Sequence, residues 1–238
     1  MKRPVELIVA LDVPAADEIA SLLARLPARI AWFKVGLELF IAAGPAALGA
    51  LAHAHRNVFL DLKLHDIPRT VARAVQAAAR LNVSLLTVHA GGGLAMLRAA
   101  ADAANECDGP APRLLAVTAL TSLGQDDLPP LGISRPLADH ALALAELAVD
   151  AGIHGLVCSP LEVPALRARF GDEVLLVTPG VRPSGSDQAD QKRMATPAAA
   201  VRAGADFLVV GRPILAASDP HAAAEAILRE MHEAAAPE

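Results

Sequence analysis

The sequence predicts an α/β chain folded as one single-domain (β/α)8 TIM barrel over residues 1–238. Three observations predict it. Eight apolar β-type runs recur along the whole length. Alanine-rich stretches with helical spacing separate them. Polar side chains gather at the C-terminal end of nearly every run. In a barrel that end forms the catalytic face, whereas chance would scatter such residues over both ends.

The first run is Glu6–Asp12. It follows Met1-Lys2-Arg3, an order that superficially resembles a secretion signal. The apolar stretch is too short for that, and Glu6 and Asp12 interrupt it. Ile19, Leu22, Leu23 and Leu26 then fit one helix face. The second run, Ala31–Gly36, carries Lys34 near its end. The longest uncharged stretch, Leu39 to Ala52, falls short of a membrane span and contains Pro45. The third run, Asn57–Lys63, leads into Asp66-Ile67-Pro68, with Pro68 suited to a first helical turn. Val71, Val75 and Ala78 share the face of that helix.

The fourth run, Leu85–Ala90, has His89 near its end. Thr121 and Ser122 follow the fifth, Leu114–Leu120. Leu142, Leu144, Leu147 and Ala148 suggest another helix face, stopped at Gly152. The sixth and seventh runs are Gly155–Pro160 and Val174–Gly180, and Arg182 follows the latter. Thr196-Pro197 has the cap-then-proline order of a helix start, Gly204 the place of a stop. The eighth run, Phe207–Arg212, precedes a second cap-then-proline pair, Asp219-Pro220. Most runs are continuous rather than alternating, as in strands covered on both faces. A doubly wound open sheet is the structural alternative. It normally holds fewer strands, and Val13-Pro14-Ala15-Ala16 offers no glycine-rich dinucleotide turn.

Composition narrows the function. An apolar fraction of 54% with 20% charged residues describes a soluble globular chain. A net charge of −5 argues against a nucleic-acid surface. Cys107 and Cys158 are far apart and form no pairing pattern, which suits a reducing, cytoplasmic setting.

The third strand carries the sharpest signal. A buried strand gains nothing from ending in Asp61 and Lys63 unless they act together, because unpaired buried charge is costly. Two residues apart, they point to one face of a strand. Asp66 lies just beyond. A plain strand-end salt bridge is the alternative for this stretch alone. Gly211-Arg212-Pro213 reads as an anion site, with a plain β–α turn carrying a surface arginine as the alternative: glycine lets the backbone approach and arginine supplies a bidentate charge. Barrels often bind phosphate after strands seven and eight. Arg182 to Arg193 lacks large apolar residues and is long for a loop, which suits a segment closing over substrate. Lys34 and Lys63 stand among the candidate ligands and repel cations, so no metal site is expected. Ser122 lacks a nucleophile elbow.

Together these residues resemble a known family. Asp12, Phe33-Lys34-Val35-Gly36, Asp61 through Thr70, Val88-His89-Ala90, Leu120-Thr121-Ser122, Thr178 through Pro183, Asp190 through Arg193 and Gly211 through Ile214 look like the bacterial type of the orotidine 5′-phosphate decarboxylase family. The resemblance implies cofactor-independent decarboxylation of orotidine 5′-phosphate to UMP, the last step of de novo pyrimidine synthesis. It implies a charged tetrad of Lys34, Asp61, Lys63 and Asp66, with Lys63 donating the proton to C6. Asp12 and Lys34 match ribose contacts, and Ser122, beside Thr121, the pyrimidine contact. Pro179, Arg182, Gln191, Gly211 and Arg212 match the phosphate and loop contacts. Asp66, Ile67 and Thr70 would reach into a partner's site, making a homodimer the active unit. The expected partner is the nucleotide substrate, with no cofactor, metal, nucleic acid or membrane. The closest rival is a metal-dependent sugar-phosphate decarboxylase or aldolase, which carries an acidic residue where Lys34 stands.

Overall fold

A computed structural model of the protein describes residues 4–107, 109–183 and 193–236. Eight parallel strands close into a barrel in chain order. They are β1 (Glu6–Ala10), β2 (Trp32–Gly36), β3 (Asn57–Leu64), β4 (Leu85–His89), β5 (Arg113–Val117), β6 (Gly155–Val157), β7 (Leu175–Thr178) and β8 (Phe207–Val210). The outer layer includes α1 (Glu18–Ala24), α2 (Leu37–Ala43), α3 (Gly49–His53), α4 (Pro68–Ala79), α5 (Gly93–Asn105), α6 (Leu137–Asp150), α7 (Val163–Phe170), α8 (Pro197–Ala203), α9 (Arg212–Leu215) and α10 (Pro220–Ala235).

Alternation along the strands builds two cores. One set of positions fills the barrel: Ile8, Ala10, Phe59, Leu85, Leu115, Leu175, Val177, Phe207 and Val209. The other set, including Leu7, Val9, Phe33, Val58, Leu60, Leu86 and Leu208, packs outward against the helices. The N-terminal mouth is stoppered. Trp32 meets Phe207 edge-on with ring centroids 5.0 Å apart, and its indole N–H donates to Glu6 Oε2 at 2.8 Å. An aromatic pair of this kind adds about 0.5–1.5 kcal/mol beyond the area it buries.

Helix ends follow the expected chemistry. Thr196 Oγ1 accepts from Ala199 N at 3.1 Å, and Asp219 Oδ1 from Ala222 N at 3.0 Å. Each such cap is worth about 1 kcal/mol. Val71, Val75 and Ala78 are the buried face of α4, as their spacing predicts. The expectation for α6 is corrected. Its fully buried stripe is Ala141, Ala145 and Ala148, while Leu142, Leu144 and Leu147 are only partly buried. Small side chains let this helix approach closely, so leucine spacing misreads its inner face.

Most strands are shorter than their apolar runs. The first stops at Ala10 instead of Asp12, the seventh at Thr178 instead of Gly180, and the eighth at Val210 instead of Arg212. Ladder pairing ends where the barrel opens: Asp12 and Arg212 lie two residues beyond β1 and β8, whereas Lys34, Asp61 and Lys63 lie within β2 and β3 themselves.

Candidate active site

The inward positions of β1, β2 and β3 change from apolar to charged over one layer. Asp12 follows Ala10, Lys34 follows Trp32, and Asp61 follows Phe59 at the same period of two. Register does the rest: Ala10 is level with Lys34, and Gly36 with Asp61. The result is a row of alternating charge. Lys34 Nζ lies 3.1 Å from Asp12 Oδ1 and 3.9 Å from Asp61 Oδ2. Lys63 Nζ lies 2.9 Å from both oxygens of Asp61. Lys34 and Asp61 side chains are each 12% exposed and Lys63 32%, so the row is partly withdrawn from solvent. Each inner charge has an opposite neighbour, as burial requires.

Two glycines make room for it. A Cβ on Gly36 would stand 3.0 Å from Lys34 Nζ, and one on Gly211 would stand 2.9 Å from Asp12 Oδ2.

Lys63 reaches the row by an irregular route. On β3, Leu60 pairs with Leu86 and Leu64 with Val88, so three residues of β3 stand opposite the single residue Thr87 of β4. Within that bulge Lys63 has φ 49°, a left-handed conformation that costs a non-glycine residue about 1–2 kcal/mol. Bulges of this kind re-aim side chains beside active sites. Simple strand alternation therefore predicts the shared face of Asp61 and Lys63 but not the backbone that creates it. Thr87, fully buried on β4, fastens the bulge. Lys63 N donates to Thr87 Oγ1 at 2.8 Å, and Thr87 Oγ1 donates to Asp61 Oδ1 at 3.0 Å. Sequence reasoning missed Thr87, a lone threonine inside an apolar strand. Its polarity on the Leu85–His89 face was the available signal.

The row borders a cavity of about 250 Å³. Its far wall brings in Thr121, Pro179, Arg182, Gly211 and Arg212. One pocket thus holds the charged strand ends and the arginines that follow strands seven and eight. Ser122 is exposed and does not line it. Asp66, Ile67 and Thr70 are exposed and outside it too. Asp66 takes no part in the row within one chain; its Oδ1 accepts from Ile67 N at 2.7 Å. Gln191 lies outside the described residues.

The Arg182–Arg193 segment is expected to be too polar to pack. Its base is closed: Arg182 N donates to Ala195 O at 3.0 Å and Ala195 N to Gly180 O at 3.3 Å. Arg193 corrects the expectation, because it is buried, paired with Glu162 and bonded to the carbonyls of the pocket-lining Ala119 and Leu120. Cys158 also borders the cavity, and burial, then Glu162, pushes its thiol far above the usual range. It is no nucleophile. His89 stacks on His65, centroids 5.0 Å apart, and its Nδ1 accepts from Gly91 N at 3.1 Å. Among the described residues, no three His, Cys, Asp or Glu side chains converge as a metal site would need, and no helix is long and apolar enough to cross a membrane.

Known proteins share this plan. Residues 5–227 match the family described as orotidine 5′-phosphate decarboxylase / HUMPS. The orotidine 5′-phosphate decarboxylase of Moorella thermoacetica is 51% identical, covering 95% of this chain and 92% of its own. That of Halorhodospira halophila is 52% identical, covering 96% of both chains. The crystal structure of the enzyme from Lactobacillus acidophilus superposes with a TM-score of 0.83 at 42% identity, over 97% of this chain and 99% of that one.

Proposed function

The chain belongs to the orotidine 5′-phosphate decarboxylase / HUMPS family, and from that membership we infer how its charged row works. The protein is a carbon–carbon lyase that converts orotidine 5′-phosphate to UMP, the last step of UMP synthesis. The alternating row Asp12–Lys34–Asp61–Lys63 carries the mechanistic reading.

Loss of CO2 from C6 leaves a vinyl-type carbanion. The charged row stabilises it with fixed charge and no cofactor as electron sink. The Lys63 ammonium meets the developing negative charge and then donates its proton to C6. Asp61 pairs with it at 2.9 Å and supplies the opposite charge that a partly buried ammonium needs. Asp61 also faces the substrate carboxylate. Two like charges about 4 Å apart cost on the order of 4 kcal/mol at an effective dielectric near 20. That repulsion fades as CO2 becomes neutral. Binding elsewhere offsets it: Arg182, Gln191, Gly211 and Arg212, beside Pro179, hold the phosphate, and Asp12 and Lys34 hold the ribose. Ser122 is assigned to the pyrimidine by its family match, although Thr121 beside it is the one of the two that lines the cavity of the single chain.

The active unit is a homodimer in the cytoplasm. Asp66 of the partner subunit joins Lys34, Asp61 and Lys63 as the fourth member of a catalytic tetrad, and Ile67 and Thr70 accompany it. Exposed apolar side chains support this: Ile67 is 66% exposed, Leu37 48% and Ile41 79%, all on the connections after β2 and β3. A metal-dependent rival chemistry would set a cation where two ammonium groups now stand. The deciding assay is absorbance loss on conversion of orotidine 5′-phosphate to UMP in the presence of EDTA. Undiminished turnover is expected; abolition by chelator, restored by a divalent ion, would overturn the cofactor-free reading.

A further inference from the structure

Thr87 stands out among the buried polar groups that the reaction itself does not use. It is 0% exposed, and it shares the face of β4 with Leu85, which fills the barrel interior. A hydroxyl there needs partners, since an unpaired one is costly to bury. Both partners belong to the charged row. The Lys63 backbone N–H donates to Oγ1 at 2.8 Å, and Oγ1 donates onward to Asp61 Oδ1 at 3.0 Å.

The bulge explains why a side chain is required. Three residues of β3, Asp61, Leu62 and Lys63, pass the single Thr87 of β4 between the Leu60–Leu86 and Leu64–Val88 pairings. The Lys63 N–H therefore loses its place on the regular ladder, and the Thr87 hydroxyl stands in as its acceptor. The same contact holds Lys63 in the left-handed conformation, φ 49°, from which its ammonium reaches both oxygens of Asp61 at 2.9 Å. With its lone pair engaged by Lys63 N, the hydroxyl's one proton points to Asp61. A single group thus sets the backbone of one charge and the carboxylate orientation of the other.

We propose that Thr87 is a positioning residue for decarboxylation, a peg that holds the Lys63 ammonium and the Asp61 carboxylate in reacting geometry through its hydroxyl. It touches no substrate and acts through its two neighbours. The inference rests on the assignment of Lys63 and Asp61 to the chemistry.

The test compares Thr87→Val, which keeps the shape and deletes the hydroxyl, with Thr87→Ser, which keeps the hydroxyl. Misplacing reacting groups by about 1 Å can cost roughly a hundredfold in rate. Thr87→Val is expected to lower kcat at least about tenfold, while UMP binding, measured by calorimetry, changes less than about threefold. Thr87→Ser is expected to recover most of kcat. A crystal structure of Thr87→Val should show Lys63 out of the left-handed region and its ammonium parted from Asp61. Normal kcat in Thr87→Val, or equal losses in the Ser and Val variants, would overturn the proposal. So would a kcat loss with the Lys63–Asp61 geometry unchanged. Lys63→Ala, measured alongside, separates the two readings. If it turns over normally, the proton-donor assignment fails and takes this inference with it. If Lys63→Ala is inactive while Thr87→Val is normal, only the Thr87 inference fails.

Discussion

Arg193 and Glu162 form a buried ion pair, 8% and 7% exposed. The same guanidinium donates to the carbonyl oxygens of Ala119 and Leu120, each at 3.0 Å, and Glu162 Oε2 accepts from Ser159 N at 3.0 Å. One ion pair therefore ties together the chain after β5, β6 and β7. Burial pushes the Glu162 carboxyl above its usual range, and Arg193 opposes that rise. Removing the arginine strands a carboxylate in a dry site. Arg193→Met is expected to destabilise the fold by about 3–5 kcal/mol, measured by urea unfolding. The double variant Arg193→Met/Glu162→Gln should recover part of that loss. Wild-type stability in the single variant would show that the pair holds nothing.

Lys63→Ala is expected to abolish turnover of orotidine 5′-phosphate while UMP still binds. Assay of the reaction beside calorimetry with UMP separates the two effects. Retained turnover rules out the proton-donor role.

Arg212 is expected to act on the phosphate end alone. Arg212→Ala should weaken kcat/KM for orotidine 5′-phosphate by more than tenfold, as expected for losing a charge-assisted contact worth about 1.5–3 kcal/mol. Its effect on orotidine, which lacks the phosphate, should be slight. Equal losses on both substrates contradict a phosphate contact.

The barrel was legible because its signals are local. Continuous apolar runs, cap-then-proline pairs at Thr196 and Asp219, and the charged end of β3 each appear within a few residues. The lining role of Asp12, Lys34, Asp61, Thr121, Arg182 and Arg212 follows from strand order once closure is assumed. The left-handed turn at Lys63 was not legible, because it depends on a slip between β3 and β4 that neither strand announces alone. Arg193 was misread for a similar reason. Its partner Glu162 lies 31 residues away, and an arginine at the end of a polar stretch looks solvated until both are placed.

Mixing inactive Lys63→Ala and Asp66→Ala subunits should restore partial activity if Asp66 serves the partner's site. A mixed dimer then holds one site with both residues intact. The exposure of Asp66 and its absence from the row within one chain motivate the experiment. No recovery in verified heterodimers would argue for self-contained sites.

His89 predicts an acid limb of stability. Burial, followed by the charges of His65 and Lys63, holds its imidazole below the usual histidine value. The folded protein thus binds that proton less tightly than the unfolded chain does. The stabilisation is complete above about pH 6.5 and is lost as pH falls through the depressed folded value. Thermal unfolding from about pH 7 to about pH 5 should show a steeper fall for the wild type than for His89→Gln. Parallel curves would remove His89 from the explanation.

The Trp32–Phe207–Glu6 plug turns the barrel into a cul-de-sac. Among the described residues, the charged pocket opens at the opposite end, and that is the doorway for nucleotide and gas. Traffic through that doorway, rather than bond breaking, then becomes a place where the overall pace of the enzyme can be set.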